Sequence, residues 1–374
     1  MAGYPEIIIE FRSRGKARIE RGLYGIVALV LQEQDTALHG VHYLYDFAET
    51  PEDLTPENQM AVQQAFYGND RPPLEVYLVI EPVPEVPGFT VVGNPTMTTL
   101  ENLTFDYLSV PFITEEETME LVTWAKSFNE SAYENTRFMT VVANNDADHD
   151  QFINTTTPEH FRGEQVWTTT EYTPRIAGLC AGTTLRNSTT KAILNDLDHV
   201  TEFTRRELDD KIRNGEFVLD NTRRRGRNLV ITTRGVTSLM TTTEDKGEVF
   251  KKIKVRSVLN MLYRDIYRGI EENYQGRYQN SYHNKLVLNN AIYAYLEAFE
   301  IDGVLSPGES LVTIHVEKQR NYLKSIGYMT NDERPVDLMS DEEVRRANTD
   351  SKVFIRIQAR VLDTMEDFDI LAEV

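Results

Sequence analysis

The chain has 374 residues, 40% of them hydrophobic and 10% aromatic, enough to bury a sizeable core and too apolar for a disordered or collagen-like protein. Asp and Glu number 59 against 39 Lys and Arg, a net charge of −20 at pH 7, which excludes a protein that coats nucleic acid with its whole surface. The single cysteine, Cys180, excludes a disulfide framework within the chain and a multi-cysteine metal cluster, and in the run Ala177-Gly-Leu-Cys-Ala-Gly182 it reads as a packed thiol.

In chain order, Glu6-Ile-Ile-Ile-Glu-Phe-Arg12 predicts a first strand with Ile7, Ile9 and Phe11 on one side, followed by an extended linker, Ser13 to Arg18. No basic stretch precedes an apolar one at the start, and no apolar run approaches ~18 residues, so neither a signal peptide nor a membrane span is expected and the protein reads as soluble and made in a cytoplasm. Gly25-Ile-Val-Ala-Leu-Val-Leu31 and Leu74-Glu-Val-Tyr-Leu-Val-Ile80 are near-continuous apolar runs, as expected of strands covered on both faces. Between them Glu57 to Tyr67 predicts a helix, and Pro82-Val-Pro-Glu-Val-Pro-Gly88 must be a loop. A strand at 105–111, a helix capped by Thr114 and running towards Phe128, a strand at 138–143, a weaker one at 164–169 and a small-residue helix over 174–184 follow. This alternation argues for an α/β domain over residues 21–245.

After Lys246 the character changes. Val255, Val258, Leu259, Leu262, Ile266 and Ile270 recur at helical spacing from Lys251 to Asn273, and a second helix is expected from Ser281 to Phe299. Leu311 to Val316 alternates as a strand, 317–350 reads as polar and irregular with a short capped helix at 340–345, and 353–361 alternates as a half-exposed antiparallel strand. This is a smaller α+β C-terminal domain over 246–352, with a strand and arm over 353–374 whose last residues place Phe368, Ile370, Ala372 and Val374 on one side. Strand-like termini of this kind, residues 1–20 at the start and 353–374 at the end, pair either with their own sheet or with a neighbour's edge.

Chemistry-bearing patterns are few. No phosphate-binding glycine loop, paired-histidine zinc motif or nucleophile elbow is present. Asn144-Asn-Asp-Ala-Asp-His-Asp150 resembles a calcium loop only at its start: position six is Gln151 and position twelve Thr157, so it reads as a solvated turn, without metal. His39 and His42 read as loop histidines, Glu115 to Glu117 and Asp209-Asp210 as helix-surface charge, and no cofactor is expected. Charge is more informative. Residues 204–285 hold 18 Lys and Arg against 11 Asp and Glu, a local +7 on an acidic chain. Lys252, Arg256, Asn260, Arg264 and Arg268 recur every four residues as one polar stripe, which suits docking to an acidic partner as well as an ordinary solvated face. Arg223-Arg-Arg-Gly-Arg227 has the charge to grip phosphate but lacks aromatic interleaving and reads as a turn.

Taken together in order, several segments resemble the contractile tail sheath family of myophages and phage-tail-like bacteriocins, particularly short clostridial-type sheaths. They are Ile19-Glu-Arg-Gly-Leu-Tyr-Gly-Ile-Val-Ala28, Ala143 to Ile153, Val200 to Thr204, Thr232 to Leu239, Lys251 to Arg256, Asn273 to Arg277 and Leu362-Asp-Thr-Met-Glu-Asp-Phe368. The extra β-rich domain that many longer sheaths carry near position 90 is missing. The resemblance implies a structural, non-enzymatic subunit that forms hexameric rings stacked as a helical sleeve around an inner tube, with baseplate and tail terminator proteins as further partners. It would be assembled in the host cytoplasm into a virion tail or phage-tail-like particle, with neither membrane insertion nor direct nucleic-acid contact. Its terminal arms, carrying Ile7, Ile9, Phe11, Phe368, Ile370 and Val374, would add strands to neighbouring subunits, and the stripe Lys252, Arg256, Arg264 and Arg268 would face the tube. Two readings from other classes stand beside it: a carboxylate-dependent hydrolase, and a nucleic-acid-binding protein using residues 204–285.

Overall fold

The apolar run after Gly25 becomes an interior strand of a seven-stranded sheet in the computed structural model, which describes residues 19–372 except 85–87, 92, 132–136 and 245. Its strands are β1 (Ile26–Glu33), β2 (Gly40–Leu44), β3 (Glu75–Pro82), β4 (Tyr107–Ser109), β5 (Met139–Ala143), β6 (Phe152–Thr155) and β7 (Glu216–Phe217), in the spatial order β7-β6-β5-β4-β1-β3-β2. Every pairing is parallel except β2 against β3, which is antiparallel and places β2 at one edge.

Helices cover both faces, as the two-sided burial of β1 requires. Ile26, Ala28 and Val30 share a core with Leu121 and Ala125 of α2 (Glu115–Glu130) and with Phe138. Their neighbours Val27, Leu29 and Leu31, on the opposite side of the strand, are equally buried where α1 (Pro56–Phe66) and α3 (Thr173–Ala181) lie against the sheet. The Thr114 cap forms as expected: its hydroxyl accepts from Glu117 N–H while the Glu117 carboxylate accepts from Thr114 N–H. The helix α4 (Arg205–Arg213) leads into β7, and beyond β7 the chain forms an antiparallel hairpin, Leu219–Arg224 against Arg227–Thr232. It turns on Arg225 and Gly226, whose φ of 50° and 81° match the two-residue turn that follows the natural twist of a hairpin.

The chain divides into two compact units. The larger comprises Arg21–Asp265, Phe299–Glu309 and the described tail after residue 358; the smaller is built mainly from Ile266–Ala298 and Ser310–Gln358. The division falls inside the helix α5 (Ile253–Asn273), and α6 (Tyr282–Ile301) likewise contributes to both units. The smaller unit holds a two-stranded antiparallel sheet, β8 (Leu311–Ile314) against β9 (Ile355–Gln358), in register from Leu311 opposite Gln358 to Ile314 opposite Ile355. The polar stretch that reads as irregular contains a ten-residue helix, α7 (Val316–Ser325), packed through Leu323 against Val336, Met339 and Val344. One buried apolar anchor is too little periodicity to be seen in sequence, and the helix starts on an unusual cap, His315 Nδ1 accepting from Lys318 N–H. The described residues at 368–372 form no strand, and the expected first strand lies outside the described residues, as does Val374.

In the larger unit α1 and α3 pack backbone to backbone at Gly178. A Cβ on Gly178 would sit 1.9 Å from the carbonyl oxygen of Ala65, a backbone atom that cannot rotate away. Gly178→Val is therefore expected to lower stability by about 3 kcal/mol, read as a lower urea midpoint at unchanged slope; a wild-type midpoint would show that the helices have room.

Candidate assembly site

The repeat of basic residues along α5 does not form a solvated face. From Ile253 to Ile270 no residue of the helix is exposed, and a buried cation needs a partner. Arg264, 4% exposed, donates from Nη1 to Asp106 Oδ1 at 2.9 Å and from Nη2 to the Leu23 carbonyl at 2.5 Å. The other Asp106 oxygen accepts from Gly25 N–H at 2.8 Å and Ile26 N–H at 3.0 Å, so one carboxylate joins the start of β1, the approach to β4 and α5. Two turns earlier Arg256 Nη1 reaches Asp150 Oδ2 at 2.9 Å, and Lys246 Nζ reaches Asp150 Oδ1 at 2.8 Å. Asn260, between the two arginines, packs side chain to side chain on Gln151. Lys252 pairs with Asp363, and Arg268 donates to the Glu20 carbonyl at 3.4 Å. Arg256 and Arg264, expected to face a tube, are committed to acids of their own sheet. Lys252 and Arg268 keep partial exposure.

The acidic loop after β5 is solvated only in its first half, at Asn144 and Asp146. Asp150 is fully buried, and Asp148 accepts from Met240 N–H at 2.6 Å and from the N–H and hydroxyl of Thr241. Burial alone would raise the Asp150 carboxyl, but Arg256 and Lys246 together hold it below the ordinary carboxylate range. Burial pushes the neighbouring His149 imidazole down, against the opposing pull of Asp150. Among the described residues no group of acids, histidines or cysteines is arranged to hold a metal ion. His39 and His42 each bond a backbone carbonyl, of Glu33 at 2.9 Å and Leu38 at 2.7 Å. Asp209 and Asp210 pair with Arg205 and Arg206 one turn away, and burial raises the Cys180 thiol well above its usual range.

The C-terminal tail lies on the larger unit. Val361 bridges to Leu305, and Leu362 N–H donates to the Val304 carbonyl at 2.9 Å. From there the hold passes to acidic side chains. Glu366 accepts from Ser188 at 3.2 Å and Thr190 at 2.7 Å and pairs with Arg234 at 3.4 Å, while Asp367 meets the same arginine at 2.6 Å. Its large apolar residues turn outward: Met365 is 87% exposed, Phe368 70%, Ile370 80% and Leu371 86%. Sequence reasoning missed the anchors Ser188, Thr190 and Arg234; the available signal was the acidity of the tail set against the positive 204–285 segment.

A charge-clamped body with exposed apolar residues on its tail leaves surface for a partner to cover. The phage tail sheath central domain matches residues 91–234 and the phage tail sheath C-terminal domain matches 245–374. The tail sheath protein of Clostridium phage phiCD119 is 31% identical over 378 residues, covering all of both chains. The sheath of the anti-feeding prophage in its contracted state superposes with a TM-score of 0.67 at 14% identity, covering 100% of this chain and 99% of that one. A sheath tail protein from Desulfitobacterium hafniense gives 0.66 at 13% identity, over 96% of this chain and 100% of that one. The chain belongs to the phage tail sheath family, and it is a structural subunit of a contractile sheath.

Replacing Asp150 by Asn leaves Arg256 and Lys246 beside a neutral amide and is expected to cost about 3 kcal/mol near pH 7. The folded carboxyl sits below its unfolded value, so its contribution is present above about pH 4 and lost as pH falls through the folded value. The stability gap between wild type and Asp150→Asn, measured by urea unfolding, should close on acidification; a gap independent of pH would refute the clamp.

Proposed function

We propose that the subunit polymerises as stacked rings around an inner tail tube, its terminal arms adding strands to neighbouring subunits, and that shortening of the sleeve drives the tube through a cell envelope. The observation that carries this reading is the two-stranded sheet β8–β9. Leu311 on one strand and Ile357 on the other remain substantially exposed, and a two-stranded sheet is marginal in water until a third strand or another layer covers it. The tail offers a complementary piece: Phe368 and Ile370 are exposed in a stretch that forms no strand among the described residues, and in the sequence they alternate with Ala372 and Val374 as a strand's apolar side would. Ile7, Ile9 and Phe11 offer the same pattern at the other end. Strand addition gives several backbone hydrogen bonds at each junction, each worth about 1 kcal/mol, and lets rigid bodies re-pack while the mesh stays connected.

The role is structural and non-catalytic, within a virion tail or a phage-tail-like particle assembled in the host cytoplasm. Tube, baseplate and tail terminator proteins are the proposed partners. Contact with the tube is assigned only to Lys252 and Arg268 of the stripe, since burial withdraws Arg256 and Arg264. The extended sleeve would be held by a kinetic barrier, lying above the contracted state in free energy.

Negative-stain microscopy of the purified chain tests the reading, with hollow ridged cylinders expected. Removal of residues 362–374 should leave a monomer with wild-type circular dichroism that forms no cylinders. Normal cylinders from the shortened chain would eliminate the tail as a linker, and failure of the full chain to assemble even with tube protein would eliminate the sheath mechanism itself.

A further inference from the structure

The larger unit carries two opposite surfaces at opposite ends of one sheet. At the far end, the hairpin that follows β7 exposes Arg223, Arg224, Arg225 and Arg227. Among the described residues none of the four makes a side-chain hydrogen bond or ion pair. Arg224 and Arg227 are directly opposed across the two strands, so their side chains share one face at close range, a like-charge pairing that costs stability unless an anion is brought to it.

At the near end stands β2, paired on one side only. Tyr43 and Tyr45 are exposed by 53% and 63%, Phe47 lies open beside them, and the turn that follows exposes Asp46, Glu49, Glu52 and Asp53. The Tyr43 ring is braced edge-on against Tyr77 at 5.0 Å. This edge lies in the most acidic part of the chain: from Gly22 to Ala125 there are 17 Asp and Glu and one basic residue, Arg71. Arginine planes stack on tyrosine faces and pair with carboxylates at once, so the aromatic and acidic edge is a chemically matched receptor for the arginine tip. Six strand spacings separate the two edge strands, roughly 29 Å, and the hairpin springs from the wrong edge to reach β2 of its own chain.

We propose that the arginine hairpin of one copy docks on the β2 edge and its following turn in the next copy, giving a head-to-tail contact between bodies that is separate from the strand-adding arms. Two different patches meet at such a contact, so repetition closes a ring or winds a helix and never stops at a symmetric pair. The inference rests on the sheath reading only in taking a second copy of this chain as the partner.

Two full-length variants test it. Arg224→Glu with Arg227→Glu reverses the tip; Glu52→Lys with Asp53→Lys reverses the receptor and spares Asp46 and Glu49, whose carboxylates hold local turns. Each alone is expected to pellet as assembled particles at least about tenfold less than wild type, with an unchanged thermal melt. A one-to-one mixture should recover assembly, because the reversed tip matches the reversed receptor and the native pair is still present in the alternating order. If wild type assembles and the variants do so equally well, or the mixture recovers nothing, the inference is overturned and the sheath reading stands. If wild type itself never assembles, with or without tube protein, the sheath reading falls and takes this contact with it. A second measurement avoids any loss of folding: Arg225→Cys and Tyr45→Cys in a Cys180→Ala background, oxidised after assembly, should give a ladder of covalent multimers, and monomers alone would refute the contact. Salt-sensitive binding of duplex DNA that the tip reversal abolishes, with assembly untouched, would assign the arginines to nucleic acid instead.

Discussion

The carboxylate of Asp106 is the point on which the larger unit turns. It accepts two backbone N–H groups at the entry to β1 and a guanidinium from the middle of α5, all within 3.0 Å and all shielded from water. A buried ion pair contributes little net stability against an apolar replacement, but leaving one member unpaired costs about 3–5 kcal/mol. Its effect is therefore positional: only one placement of α5 against the sheet satisfies every partner. The Asp150 cluster two turns away imposes the same condition on the other arginine, so a helix with no exposed residue over most of its length is fixed in rotation as well as in depth.

That device also explains the largest departure from the sequence reading. A four-residue repeat of cations beside an apolar stripe is the same pattern whether the polar face meets water or a row of buried acids. What separates the two cases is the whereabouts of the counter-charges, and Asp106 and Asp150 lie 158 and 106 residues from the arginines they hold. No local window contains that information. The same distance blindness hid the anchor in the second half of Asn144 to Asp150: Asn144 and Asp146 are exposed as expected of a turn, but His149 and Asp150 are buried. Elements whose evidence is local came through well: the two-sided apolar runs became β1 and β3, the Thr114 and Ser340 caps formed, and Val353 to Val361 holds the last described strand.

The assembly features divide along the same line. The tail's alternation of apolar residues is written in the sequence, and the structure adds that Phe368 and Ile370 stand exposed. The tail's anchorage was not legible, since Ser188 and Thr190 are unremarkable in sequence and acquire meaning only when Glu366 folds back over them. The arginine run was legible as a turn, and the structure adds that it is the tip of a hairpin whose strands direct four cations outward.

A sheath that contracts needs bodies that keep their shape and connectors that give way, and the magnitudes here sort the chain into those two parts. Pulling α5 from its sheet would expose two buried charge clusters at about 3–5 kcal/mol each, in addition to the lost apolar contact. Beyond Leu362 the tail has no ladder of backbone hydrogen bonds over its described length; its hold is Asp363 on Lys252, Glu366 on the Ser188–Thr190 turn, and Asp367 on Arg234. Ion pairs with partly exposed members are worth about 0–1 kcal/mol each, so the whole attachment costs only a few kcal/mol to release. A strand exchanged into a neighbour's sheet recovers as much from its backbone bonds alone. Any load applied along the chain therefore yields at the tail, long before the clamped sheet is disturbed.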